Sequence, residues 1–180
     1  MTREEMRLFK ERGVSVVTNP GSNTKLASGI APVGSFLEEG LNVAIGTDGP
    51  ASNNCLDMFR EMFLATALQK YVTGDASAFP AGKVLYMATA GGAKAMGLTE
   101  CDCLAAGKKA DIILLDMHQP NMQPEHDIIK NIVYSGSKSN VKMTMVGGKI
   151  LYQDGQFFVG EDVEEIYQNA NRVCKEILSQ

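Results

Sequence analysis

Apolar residues fall at helical spacing at the two ends of the chain and in short strand-like runs between them. Thr2 followed three residues later by Glu5 is a capping-box pattern, and Met6, Leu8 and Phe9 carry it on to Arg12, which predicts an opening helix. Gly13 stops that helix, and Val14-Ser15-Val16-Val17 is a short valine-rich strand pattern ending in the turn-forming Asn19-Pro20-Gly21. A polar loop is expected over Ser22–Ser28, then a helix over Pro32–Glu39 closed by Gly40, then a second strand over Val43–Ile45. The order is α, β, α, β, and strands that are apolar throughout are those expected of a parallel sheet covered on both faces.

Two further helices are predicted, Leu56–Tyr71 with Met58, Met62, Leu64, Ala65 and Leu68 along its apolar side, and a second from about Ala81 to Met96. Methionines in such stripes read as flexible core filler. After Gly97 the texture changes. Asp111–Asp116 and Asn131–Ser135 have strand patterns, and Val141–Gly155 reads as a strand pair around Gly147-Gly148. Helical periodicity returns over Glu161–Leu178, with Val163, Ile166, Tyr167, Ala170, Val173 and Ile177 on one face. The expected organisation is therefore a β/α part over residues 1–96, a β-rich appendage over 97–160 and a C-terminal helix over 161–180.

Composition narrows the function classes. At 180 residues, with 44% hydrophobic and 21% charged residues, the chain has the make-up of a folded domain, or of a piece of a larger one with a small appendage. The net charge is −4 and the basic residues are scattered, so the footprint of a nucleic-acid binder is missing. Apolar runs such as Ile112–Leu115 are far too short to span a bilayer, and Met1–Arg12 lacks the apolar core of a signal peptide; a cytoplasmic protein without a membrane partner is expected. Cys55, Cys101, Cys103 and Cys174 include no C-x-x-C and have no histidine at zinc-finger spacing, which points to reduced structural thiols.

Candidate chemistry is sparse. His118 and His126 lie eight apart among turn residues and fit no helix-face metal motif. There is no nucleophile elbow, phosphate-binding loop or dinucleotide fingerprint, and Gly91-Gly92 falls within a helical, Ala-rich stretch. Ile45-Gly46-Thr47-Asp48-Gly49 stands out as an apolar strand that ends in a carboxylate and a glycine turn. The C-terminal end of a parallel strand is where β/α folds place catalytic groups, but an Asp there can equally be the N-cap of the next helix.

Three stretches, Asn19-Pro20-Gly21-Ser22-Asn23-Thr24-Lys25-Leu26-Ala27-Ser28-Gly29-Ile30-Ala31-Pro32, Gly46-Thr47-Asp48-Gly49-Pro50-Ala51-Ser52-Asn53-Asn54 and Ala106-Gly107-Lys108-Lys109-Ala110-Asp111-Ile112-Ile113-Leu114-Leu115-Asp116, resemble in order and spacing the amidohydrolase superfamily. Within it they look most like the branch of methylthioadenosine and S-adenosylhomocysteine deaminases, with chlorohydrolases and guanine deaminases close by. The resemblance implies an α/β fold: the last β/α units of a (β/α)8 barrel, part of a small β-sandwich and a C-terminal helix. It also implies a divalent metal, zinc or iron, for which Asp48 matches the ligand after the eighth strand and the catalytic acceptor of a proton from water. The family's histidine ligands and its acid glutamate have no counterpart here, and Met1-Thr2-Arg3-Glu4-Glu5 resembles the residues that directly follow the sixth-strand histidine.

Two smaller departures are Thr18, where many relatives have a histidine, and Asp102-Cys103-Leu104 in place of a Gly-Ser-Leu turn. The implied function is that of the C-terminal part of an enzyme hydrolysing C–N bonds of an adenosine-type or related heterocyclic amine. Alone, the chain is expected to be inactive and to hold no metal tightly. The alternative is a non-catalytic subunit that self-associates as a homo-oligomer or pairs with a separate N-terminal half. Ser52 and Asn53 are expected to shape the loop beneath Asp48 and to start the helix at about Leu56.

Overall fold

The structure, a computed structural model, describes residues 1–179. The chain forms two compact units: Met1–Lys108 with Met117–Asn140, and Lys109–Asp116 with the chain from Val141 onward.

The first unit begins with α1 (Arg3–Glu11), whose capping box is complete: the Thr2 hydroxyl accepts from the Glu5 N–H while the Glu5 carboxylate accepts from the Thr2 N–H at 2.6 Å. Strands β1 (Ser15–Thr18) and β2 (Asn42–Ile45) pair in parallel, Ser15 opposite Asn42 and Thr18 opposite Ile45. Between them run α2 (Pro20–Lys25) and α3 (Val33–Glu38). After β2 come α4 (Pro50–Asn53), α5 (Met58–Thr73), α6 (Ala81–Ala88) and α7 (Ala90–Ala95).

Val43, Ala44 and Ile45 are buried with Val33, Phe36, Val84 and Met87, so β2 is covered as its apolar sequence predicts. β1 is not: Val17 is 51% exposed, and among the described residues β1 pairs with β2 alone. α7 packs on β2 so closely that a Cβ at Gly91 would lie 2.9 Å from the Val43 carbonyl oxygen. Asn42 Nδ2 donates to the Gly91 carbonyl at 3.0 Å across the same contact. Gly91 thus serves packing.

Three local expectations are corrected. The polar stretch expected as a loop from Ser22 is helical through Lys25, because Pro20 pre-sets the first helical turn and Thr24 Oγ1 donates to the Pro20 carbonyl at 2.7 Å. The helix expected over Ala81–Met96 breaks at Thr89, whose φ of −122° and ψ of −96° lie far from helical values. Asn131–Ser135 is a π-helical turn following α8 (Ile128–Lys130) and not a strand. Asn131 Nδ2 donates to the Met122 carbonyl at 2.7 Å, Gly136 N–H closes the turn onto Asn131, and Val133 is buried; these contacts override the strand preference of its branched residues.

The second unit is a four-stranded antiparallel sheet in the order β3 (Ile112–Leu115), β4 (Val141–Val146), β5 (Lys149–Gln153) and β6 (Gln156–Phe157). Gly147 and Gly148, at φ of 56° and 81°, turn the β4–β5 hairpin as read from the sequence. Helix α9 (Val163–Leu178) is capped by the Asp162 carboxylate, which accepts from the Glu164 and Glu165 N–H groups. No described apolar side chain of this unit is fully buried. Among the described residues no helix is long and apolar enough to cross a membrane.

Candidate functional site

The parallel register brings the ends of β1 and β2 level, and Gly46 N–H extends the ladder by donating to the Thr18 carbonyl at 3.0 Å. Past that point the chain leaves β2 through Thr47 and reverses at Asp48, whose φ of 61° lies in the left-handed region. An aspartate tolerates that conformation better than most residues, and it turns the side chain out of the strand.

Gly49, not Asp48, is the N-cap of α4, and no side chain caps that helix. The capping explanation of Asp48 therefore does not hold. Two hydroxyls converge on its Oδ2 instead, Ser52 Oγ from α4 at 2.7 Å and Ser22 Oγ from α2 at 2.7 Å. The Ser52 hydroxyl first, then that of Ser22 and the Gly49 backbone, hold the exposed Asp48 carboxyl below the ordinary aspartate range. Because the folded value is lowered, the stability it contributes is present above the unfolded aspartate range and is lost as pH falls through the lowered value. Ser22→Ala combined with Ser52→Ala should move the titration of Asp48 upward, read from its ¹³Cγ resonance; an unmoved titration would show that the hydroxyls do not set it.

Asn53 lies beneath, buried, with both ends of its amide bonded. Nδ2 donates to the Thr47 carbonyl at 2.7 Å and to Glu61 Oε1 at 2.8 Å, while Oδ1 accepts from the Cys55 N–H at 3.2 Å. Ser52 also donates to the Gly49 carbonyl at 3.1 Å, so both residues shape the loop as expected. The following helix starts later than expected, at Met58, with Asp57 as the N-cap accepting from the Phe59 N–H at 3.0 Å. Asn53→Ala leaves several buried groups without partners and should destabilise the chain by about 2–4 kcal/mol. A loss under about 0.5 kcal/mol in chemical denaturation, the range of ordinary surface changes, would contradict this account.

Glu61 is fully buried in α5, and its Oε2 accepts from the Gly21 N–H at 2.7 Å. Sequence reasoning assigned no role to Ser22 or to Glu61. Glu61 carried a readable signal, a charge three residues after Met58 and four before Ala65 on the predicted apolar side. Ser22 carried none, since only the pairing of β1 with β2 brings it to Asp48.

His118 and His126 are exposed, and Cys55, Cys101, Cys103 and Cys174 are not joined in disulfides. Thr18 is buried and lines a small cleft with Pro20, Asn23, Ile30 and Gln69. In the Asp102-Cys103-Leu104 turn, Lys108 pairs with Asp102 at 2.7 Å. No group of three or more His, Cys, Asp or Glu that could hold a metal occurs among the described residues.

A mixed α/β unit with a carboxylate held at the end of a parallel strand is the class of protein described so far. The amidohydrolase family matches residues 1–151, and this chain belongs to that family. It is 46% identical over 175 residues to the 5'-deoxyadenosine deaminase of Methanosarcina mazei, covering 97% of this chain and 40% of that one. It is 48% identical over 173 residues to the 5-methylthioadenosine/S-adenosylhomocysteine deaminase of Moorella thermoacetica, covering 96% and 40%. Among solved structures it matches an adenosine deaminase from Xanthomonas campestris with bound zinc, at a TM-score of 0.94 and 37% identity, over 100% of this chain and 41% of the other. The atrazine chlorohydrolase of Arthrobacter aurescens, complexed with zinc, matches at a TM-score of 0.86 and 26% identity, over 96% and 38%. The chain thus spans about two fifths of the length of these relatives.

Proposed function

We propose that this chain is the C-terminal part of a metal-dependent deaminase acting on adenosine-type substrates, supplying the last two β/α units of a (β/α)8 barrel and part of a β-sandwich. The observation that carries the reading is Asp48: a carboxylate at the end of a parallel strand, turned outward by a left-handed backbone and held by two serine hydroxyls on one oxygen. The names of the relatives, deaminases of 5'-deoxyadenosine and of methylthioadenosine or S-adenosylhomocysteine, support the substrate class.

Zinc in the related structures supports a divalent metal in the complete enzyme. Asp48 has the chemistry of one ligand, a hard oxygen kept ionised and accessible, but one carboxylate does not make a site, which takes three or four donors. The residues present here therefore do not fit a metal by themselves. With further donors from elsewhere, Asp48 would be one ligand of such a metal, which would supply water of lowered pKa. The part proposed for Asp48 is to offer one ligand oxygen and a carboxylate able to accept a proton.

A fusion of the upstream part of the Moorella deaminase to this chain tests the reading. The fusion should release ammonia from methylthioadenosine, and Asp48→Ala should lower kcat by about 10²–10⁴-fold, the span of a lost general base. A fusion in which Asp48→Ala keeps its rate would remove Asp48 from the chemistry. A second reading, a non-catalytic subunit that associates with itself or with a separate partner half, is favoured by the exposed apolar side of β1 and of the second unit.

A further inference from the structure

We propose that Glu61 is a positioning residue for Asp48, a buried carboxylate that clamps from beneath both segments whose hydroxyls hold the Asp48 side chain. The proposal rests on the reading of Asp48 above.

Each arm of the clamp ends one residue from a hydroxyl that reaches Asp48. Glu61 Oε2 accepts from the N–H of Gly21, the neighbour of Ser22, at 2.7 Å. Glu61 Oε1 accepts from Nδ2 of Asn53, the neighbour of Ser52, at 2.8 Å. The same Asn53 nitrogen donates to the carbonyl of Thr47, the residue before Asp48, at 2.7 Å. Ser22 and Ser52 then close the ring on Asp48 Oδ2, both at 2.7 Å. One side chain on α5 thereby fixes α2 against α4, and the carboxylate of Asp48 bridges the same two helices above it.

The chemistry of the position explains why a carboxylate stands there. Glu61 is fully buried and has no ion-pair partner among the described residues, so an apolar side chain like its neighbour Met62 would avoid the desolvation of a charge. Both of its partners are donors, and a carboxylate is the side chain that offers only acceptors. Gly21 completes the fit. A Cβ there would lie 2.3 Å from Glu61 Oε1 and 3.0 Å from Asn53 Nδ2, so the carboxylate occupies the place of a side chain.

Glu61→Gln tests the clamp, because its amide must turn an NH₂ toward one of the two donors. The measurement is NMR on the purified, isotopically labelled chain at neutral pH, reading amide exchange and the ¹³Cγ shift of Asp48. In the variant, the amides of Gly21, Asn53 and Asn54 should exchange at least about tenfold faster relative to those of β1 and β2, as expected for a lost hydrogen bond to a charged group. The Asp48 ¹³Cγ resonance should move toward its position in the variant carrying Ser22→Ala and Ser52→Ala. Thr66→Val, which removes a buried hydroxyl bonded to the Phe79 carbonyl at 2.9 Å on the same helix, should loosen the whole unit evenly and leave that resonance in place.

Uniform acceleration in Glu61→Gln, or an unmoved Asp48 resonance, would reduce Glu61 to an ordinary structural residue and overturn the proposal. If Glu61→Gln does not fold, Asn53→Ala decides: Asn54 should loosen while the Gly21 amide, still bonded to Glu61, stays protected. Failure of both variants to fold also overturns the proposal, since Glu61 would then be needed for folding itself. None of these readings depends on whether Asp48 takes part in catalysis, so the clamp and the function can fail separately.

Discussion

Purified on its own, the chain should retain zinc well below one ion per molecule and should not deaminate methylthioadenosine or 5'-deoxyadenosine above the buffer rate. A single carboxylate competes poorly with water for a metal ion, whereas tight sites gather three or four donors. The strand-end aspartate meets no such set within the described residues, where no cluster of three metal-binding side chains occurs. Catalysis demands more still, because holding water and substrate in a reactive geometry accounts for about 7–11 kcal/mol of barrier reduction in well-oriented systems. Metal analysis of tag-free protein, before and after dialysis against zinc, gives the answer. Stoichiometric zinc that disappears in Asp48→Ala would mean that the chain builds a site from groups its sequence does not advertise. Stoichiometric zinc indifferent to Asp48 would direct attention to the Cys101 and Cys103 pair.

What was legible in the sequence divides along a physical line. The capping box of Thr2 and Glu5 and the Gly147-Gly148 hairpin are set by contacts within a few residues, and the strands read over Val14–Val17 and Val43–Ile45 by their apolar runs; each is readable. Elements settled by particular side-chain bonds to the backbone depart from their pattern, among them the polar run from Ser22, which Pro20 and Thr24 wind into α2. The branched residues of Ile132-Val133 looked like a strand, but Asn131 reaches back to the Met122 and Pro124 carbonyls and the segment winds into a π turn. At the site, Asp48 was visible because a carboxylate is out of place at the end of an apolar run, and Ser52 and Asn53 because they follow it directly. Glu61 and Ser22 reach the site from 13 residues after and 26 residues before Asp48, and only the parallel pairing and the packing of α5 bring them in. Nothing local to either residue encodes that meeting.

The largest physical effect expected of the isolated chain is association. β1 has one paired edge and one bare edge among the described residues, and on it Val17 is 51% exposed beside a covered β2. Unpaired strand groups next to an apolar face favour strand addition between molecules. In the second unit apolar side chains are exposed on both kinds of element. Ile113, Leu114, Val146 and Phe157 on the strands are each at least half exposed, and along α9 Ile166, Tyr167, Val173 and Ile177 are 43–64% exposed. An amphipathic helix without one buried residue gains stability only when something covers its apolar face, since isolated helices of this length are marginal in water. Light scattering should therefore give a mass above the 19.4 kDa of the chain, rising with concentration, together with binding of an apolar dye that falls as the mass rises. Val17→Lys should weaken association that runs through β1, whereas Ile166→Glu should weaken association that runs through α9, so the pair separates the two surfaces. A monomer at 19.4 kDa with a cooperative melt and no dye binding would show that these surfaces are closed within one molecule, and the picture of an incomplete sheet in need of a partner would be lost.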